Sequence, residues 1–256
     1  MSVRHRRWQR LADEIAQAWA IAVKDVRVYY LTPPMIMFGL LLPFFLFFSF
    51  SVRRGGSPEA GVARLLAMNA FFTASSAGPV VIPMERRVRT YDRLLAAPMS
   101  LLTLLLGKMA VGTFFALAVS SVSLLVAALW LGVPLAHPGL LVIGMILASV
   151  ASAAFGLVFA SVPAQSVGSI MMPSTLIRWP LLFISGIFVP LEEMSIWVRP
   201  LSYVSPLSYA QDLINRAVFG TGYFATWLGI VLLPVFTVIF LFIAKKLHDR
   251  SRVLGY

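Results

Sequence analysis

Few residues in this chain could carry out covalent or metal chemistry. There is no cysteine among the 256 residues, which excludes disulfides, thiolate metal sites and a cysteine nucleophile. The three histidines, His5, His137 and His248, fall in two tails and in a loop between apolar runs, so neither a zinc pair nor a Ser-His dyad can be assembled within an apolar core. No Gly-x-Ser-x-Gly, His-Glu-x-x-His or phosphate-cradling Gly-x-x-x-x-Gly-Lys-Ser/Thr occurs; Gly107-Lys108 is followed by Met109 and is no phosphate loop. The chain is therefore expected to be no enzyme and to bind no cofactor or metal itself. If nucleotide energy drives it, another polypeptide must bind the nucleotide.

What remains is charge in unusual places. Residues 84–100 concentrate Glu85, Arg86, Arg87, Arg89, Asp92 and Arg93 beside Leu94 and Leu95, ahead of Pro98. A short helix with one charged and one apolar face suits docking on a partner protein; a plain basic anchor at the membrane surface is the alternative. Arg178 is the one charged residue at mid-span in an otherwise apolar stretch. Exposure of an arginine to the bilayer centre costs about 2.5–3.5 kcal/mol on insertion scales. Arg178 could line a pathway and attract an anionic headgroup, bond a neighbouring carbonyl or Asn69, or snorkel to an interface. Asn69 is the other pathway candidate, with helix glue as its alternative. In 191–216, Glu192, Glu193, Trp197, Tyr209, Asp212 and Arg216 stand among apolar residues and prolines. That mixture forbids a simple span and suits short re-entrant helices at headgroup depth, as an outer gate or as an interfacial cap.

The elements that must position these residues are membrane helices. Hydrophobic residues make up 59% of the chain and charged ones 12%, against about 25% charged in soluble domains. Charge-free stretches at 33–52, 65–84, 109–136, 138–177 and 217–244 match the roughly 20 apolar residues a span needs. Six spans are expected, near 34–52, 62–84, 104–131, 139–161, 168–190 and 222–244. The 40 charge-free residues of the fourth stretch divide at Pro163, Gln165 and Gly168. Residues 1–30 form a separate element, too polar to span. Trp8, Leu11, Ile15, Ala18, Trp19, Ala22 and Val26 recur at helical spacing, which describes an amphipathic helix lying in the interface.

Basic residues set the orientation. Six lie in the N-terminal segment, five in 86–108 and four in the tail, against three and two in the intervening segments. By the positive-inside rule both termini are cytoplasmic; Arg53 and Arg54 are a local exception. The net charge of +11 thus sits at membrane ends, and nucleic acid is not an expected partner. Ala70, Ala74 and Gly78, Gly112, Ala116 and Ser120, and Ala148, Ser152, Gly156 and Ala160 place small residues one turn apart, as buried helix contacts require.

Two runs carry a resemblance. Glu85-Arg86, Thr90, Leu94-Leu95, Pro98, Ser100 and Gly107-Lys108, then Phe183, Ser185, Gly186, Ile187, Phe188, Pro190, Leu191, Trp197, Pro206, Leu207, Ser208, Tyr209, Asp212, Arg216 and Gly220, resemble the permeases of type-2 (ABC-2) ABC transporters. The likeness covers essentially the whole chain. Arg89 stands where that family usually has Gly, Asp92 where Glu is common, and Ser195 replaces a frequent proline.

The resemblance implies an all-α membrane protein. It has an N-terminal amphipathic helix (1–30), a six-span domain (31–244) with a cytoplasmic coupling helix in 85–100 and outer re-entrant helices in 191–216, and a cytoplasmic tail (245–256). It implies an exporter permease of a prokaryotic cell membrane that moves a drug, lipid or lipid-linked glycan outward. Its partners would be separate ABC ATPase subunits, which hold ATP and Mg, a second permease copy or a related permease, and membrane lipids. Glu85, Arg86, Arg87, Arg89, Thr90, Asp92 and Arg93 would make the ATPase-coupling contact. An intramembrane lipid-modifying enzyme and an ATP-independent channel are the alternative functions.

Overall fold

The computed structural model describes residues 3–29, 32–37, 41, 42, 45, 58–97, 99–132, 135–164 and 166–253, with side chains omitted for 3–12, 58–60, 130, 131 and 251–253. Most of the expected first span at 34–52, with Arg53 and Arg54, lies outside the described residues. Secondary structure among the described residues is entirely helical. The elements are α1 (Val3–Tyr29), α2 (Pro33–Ile36), α3 (Pro58–Arg87), α4 (Thr90–Ala96), α5 (Leu101–Leu131), α6 (Pro138–Ala160), α7 (Val167–Ile184), a 3-10 turn (Leu191–Glu193), α8 (Arg199–Ser202), α9 (Pro206–Phe219) and α10 (Thr226–Val253). Five of them are long and apolar enough to cross a membrane: Gly61–Arg87, Leu101–Leu129, Pro138–Ala160, Val167–Ile184 and Thr226–Arg250.

α3 is the axis of the bundle. Its apolar stretch is 94% buried, against 28% or less for α5, α7 and α10, whose outward faces keep Leu129, Leu176 and Phe242 exposed as a lipid-facing surface does. The small-residue stripes explain how neighbours come so close. A Cβ on Gly156 would fall within 2.8 Å of the Ser75 Cα, and one on Gly112 within 2.9 Å of the Ala77 Cβ. α6 and α5 therefore press directly on the α3 backbone, where dispersion contacts hold helices in lipid.

Proline shapes the axis as well. Pro79 and Pro83 lie inside α3, and each lacks the N–H that would bond the carbonyl four residues back. Ser75 therefore loses its regular helical donor, and a side chain from α7 takes the vacant position.

The helices gather two kinds of residue at the two ends of the bundle. One end joins α1, α4, the start of α5 and the ends of α6 and α10 through Ile21, Tyr91, Leu105, Leu157 and Ala244. At the other end α9 packs beside α3, α6 and α10, with 11 of its 14 residues buried. A Cβ on Gly229 would lie 2.7 Å from Leu213 Cγ, so α10 and α9 also meet at glycine distance.

Two expected boundaries shift. The span expected at 168–190 ends as a helix at Ile184, because Ser185 leads into Gly186 at φ +87°, a left-handed turn that stops the helix. The span expected at 222–244 begins at Thr226 and continues to Val253, past Lys245 and Lys246.

Candidate functional site

At the first end of the bundle, four charged side chains from three elements meet away from solvent. Lys108 of α5 places Nζ 3.1 Å from Asp25 Oδ2 of α1 and 2.6 Å from Glu85 Oε2 at the end of α3. Lys24 Nζ lies 2.8 Å from Asp25 Oδ1 and also pairs with Glu85. Exposure of the Asp25, Glu85 and Lys108 side chains is 2% or less, while Lys24 is 35% exposed at the rim. The two positive and two negative charges cancel, which is how charges persist in a low-dielectric interior. Burial works to lower the Lys24 pKa, but hydrogen bonds and charge from Asp25 and Glu85 outweigh it and hold the ammonium above the ordinary lysine range.

Local sequence explains the meeting. On α1, Ala18, Ile21, Ala22, Asp25 and Tyr29 share a face, and all but the half-buried Ala18 are buried, so Asp25 is carried in with its apolar neighbours. A Cβ on Gly107 would be 2.9 Å from the Ala18 carbonyl oxygen. The Gly107-Lys108 pair therefore has a physical reason: glycine admits α1, and the next residue supplies its counter-ion. Ile15 and Trp19 of the expected stripe stay 70% and 69% exposed, on the face turned away from the bundle.

The seven residues expected to contact an ATPase divide in two. Glu85 is fully buried in the charge cluster, with both carboxylate oxygens committed to lysines. Arg86 also turns inward, donating to the Val162 carbonyl and stacking 5.1 Å over the Tyr91 ring. Thr90 donates to the Glu85 carbonyl at 3.3 Å and caps the end of α3. Arg87, Arg89, Asp92 and Arg93 are exposed together on and beside α4. That helix is anchored from beneath by Tyr91, 3% exposed, whose ring lies 6.2 Å from that of His248.

Arg89 is in the left-handed region, at φ +57° and ψ +19°, where a residue with a Cβ pays roughly 1–2 kcal/mol. Replacement by glycine relieves that strain but adds freedom to the unfolded chain. Arg89→Gly is expected to raise stability by up to about 1 kcal/mol, read as a higher thermal midpoint in detergent. A lower midpoint would contradict strain at this turn.

The two pathway candidates are not brought together. Asn69 Nδ2 donates to Ser123 Oγ at 2.8 Å, joining α3 to α5. Arg178 is fully buried and donates to the Ser75 carbonyl at 2.7 Å and to Ser76 Oγ at 3.4 Å. It supplies the donor that Pro79 cannot. Within this chain both side chains link helices, the carbonyl contact expected as one alternative for Arg178 and the helix contact expected as one alternative for Asn69.

The segment 191–216 forms the 3-10 turn, α8 and most of α9. Asp212 Oδ1 and Oδ2 accept from the Tyr223 and Phe224 amides at 2.5 and 3.3 Å. Arg216 donates to the Gly222 and Phe224 carbonyls at 3.1 and 2.6 Å, and Tyr209 donates to the Tyr203 carbonyl at 2.8 Å. Asp212 and Arg216 staple the loop that leads into α10, and Tyr209 ties down the turn between α8 and α9. Burial pushes the Asp212 carboxyl above its ordinary range, against the downward pull of the two amides and Arg216. Glu192, Glu193 and Trp197 are exposed, Trp197 at 87%. Glu192 and Asp212 border a cleft of about 260 Å³, which Glu193 and Trp197 do not reach.

Sequence reasoning missed Asp25 and Lys108 as site residues and gave Lys24 no role. The available signal was a lone acid on the apolar face of α1 and a lone lysine in the apolar run 101–136. A charge in such surroundings requires a partner.

Among the described residues, an all-helical bundle with five helices long and apolar enough to cross a membrane, one end of which fixes an amphipathic helix beside a short, charged helix, is the architecture of an integral, multi-pass membrane protein. Residues 16–219 match the model of the ABC-2 type transporter family, and the chain belongs to that family. Nodulation protein J of Rhizobium leguminosarum bv. trifolii is 29% identical over 137 residues, or 52% of this chain. The match spans half of that relative's own length.

Proposed function

We propose that the chain is the permease of an ATP-driven exporter that moves an amphiphile outward by alternating access, with a second copy or a related permease and two separate ABC ATPase subunits. ATP and Mg bind on the ATPases. Both termini face the cytoplasm of a prokaryotic cell, and 191–216 closes the outer side. α1 rests on the inner membrane surface through Ile15 and Trp19, which suit an interfacial helix.

The observation that carries this reading is the inner end itself. α4 is anchored by Tyr91 while Arg87, Arg89, Asp92 and Arg93 stay exposed. The cluster of Lys24, Asp25, Glu85 and Lys108 ties α1, α3 and α5 into one block behind it. A push on α4 is then delivered to two spans and the interfacial helix together, as rigid-body switching requires.

The test is Arg87→Glu with Arg93→Glu in proteoliposomes holding the permease and its ATPase. Both side chains are exposed, so the thermal midpoint should stay unchanged. Transport-coupled ATP hydrolysis should fall at least tenfold. An unchanged rate would contradict docking through α4.

A further inference from the structure

At the end of the bundle that carries α4, one buried polar side chain stands apart from the charge cluster. His248, near the end of α10, is 2% exposed, and Ser161, which follows the last residue of α6, is 1% exposed. His248 Nδ1 and Ser161 Oγ lie 2.7 Å apart. The Ala244 carbonyl is 2.9 Å from the ring nitrogen, and the Leu157 carbonyl is 2.9 Å from the hydroxyl. The same ring lies beside Tyr91 of α4, at 6.2 Å between centroids. On its other edge the buried Nε2 has no hydrogen-bond partner among the described residues. An aliphatic side chain would fill this seat without stranding a polar atom. What the imidazole adds is a directed bond between two helices, made next to α4.

The two helices that it joins meet again at the far end of the bundle. α10 runs unbroken through Pro234 for 28 residues, about 40 Å at 1.5 Å per residue. Near its start a Cβ on Gly229 would lie 2.7 Å from Leu213 Cγ of α9, and near the start of α6 a Cβ on Gly144 would lie 3.4 Å from Leu213 Cβ. Leu213 is itself buried, so one side chain of α9 is clasped by both helices. Between these ends the Phe155 ring of α6 and the Phe240 ring of α10 meet edge to face at 5.3 Å. α6 and α10 are thus fastened together at both ends and in the middle, and packed contacts of this kind shift as a unit rather than deform.

We infer that His248 is a positioning residue that joins α4 to a strut made of α6 and α10, and that a push on α4 reaches α9 through this strut. The inference rests on the docking of an ATPase at α4 and adds a second route to the one through the charge cluster. The cluster drives α1, α3 and α5. The strut drives α9 and, through Asp212 and Arg216, the loop before α10. That loop supplies Thr221 and Tyr223 to the wall of a cleft of about 260 Å³, whose shape follows the strut.

The experiment uses the full chain with its ATPase in proteoliposomes and reads the two ends separately. In Thr221→Cys, the rate of maleimide labelling should change at least threefold when ATP is added. Adding His248→Leu should bring that ratio close to one. Ser161→Ala, which removes only a hydroxyl, should at least halve the response and serves if the histidine variant does not fold. His248→Asn, whose amide can meet Ser161 from the position of Nδ1, should restore most of it. In Arg93→Cys, the cross-link to the ATPase should survive His248→Leu within twofold, with α4 still protected from trypsin, which a mere seat for α4 would not allow. The strut is overturned if position 93 cross-links but position 221 does not respond to ATP, if the response persists in both His248→Leu and Ser161→Ala, or if His248→Leu loses the cross-link or the protection. Absence of the cross-link in Arg93→Cys without further change would overturn the docking reading itself, and the inference with it.

Discussion

Lys108→Met is expected to be among the most destabilising single substitutions in the chain. Methionine keeps the length of the side chain but removes the charge that lies within 3.1 Å of both Asp25 and Glu85. Two buried carboxylates would then share only Lys24, which sits at the rim with 35% exposure. Breaking a buried ion pair from one side costs about 3–5 kcal/mol, because the opposite charge stays behind without compensation. The loss should appear as a large fall in thermal midpoint and as protease access to α1, whose seat on α5 depends on this contact. The double variant Lys108→Met with Glu85→Gln removes one charge of each sign and leaves Lys24 with Asp25. It should recover most of the lost stability. If the single variant matched the parent protein, or if the double variant were worse than the single, the four charges would not be acting as a unit.

Tyr91→Ala should produce the second large effect, confined to α4. Truncating a buried aromatic costs about 3–5 kcal/mol, and a helix of seven residues is far too short to persist without tertiary support. With Tyr91 removed, α4 loses its place among Ile21, Leu105 and Leu157, and Arg86 loses the ring it covers. Trypsin should then cut rapidly after Arg87, Arg89 or Arg93 while the spans stay folded, and ATP-coupled transport should be lost. Tyr91→Phe keeps the ring and should resemble the parent in both assays. Protection of α4 from trypsin in Tyr91→Ala would show that the helix is anchored in some other way.

The fold was legible where the membrane dictates composition. α3, α5 and α6 fall within a few residues of their expected limits, because charge-free runs, Ser100 and Pro138 mark where an apolar helix can begin or end. Ser100 accepts from the Thr103 amide at 3.0 Å, as a helix cap does. The end of α7 and the start of α10 were less legible. The first is set by the left-handed turn at Gly186, the second by Asp212 and Arg216, which reach 11 and 8 residues ahead to fix the loop before α10.

The functional residues were legible by type but not by direction. Glu85 was recognisable as important, yet its partner Lys24 lies 61 residues away, and Lys108 is separated from Asp25 by 83. No local pattern tells on which face of a helix end a charge will fall. Arg178 posed the same difficulty. Pro79 announces a carbonyl without a donor and Arg178 announces a charge in need of acceptors, but only packing of α7 on α3 shows that each answers the other. Arg89 is the reverse case: a departure from the family pattern in residue type keeps the left-handed turn in which glycine is at ease.

The chain has no cysteine, so one introduced cysteine provides a unique chemical address, and the central claim can be tested at a single position. Arg93→Cys on the exposed face of α4 should form a thiol-specific cross-link to the ATPase when the two proteins are reconstituted together, and Thr221→Cys at the opposite end should form none. Absence of a cross-link from position 93, or an equal yield from position 221, would contradict docking of an ATPase at α4.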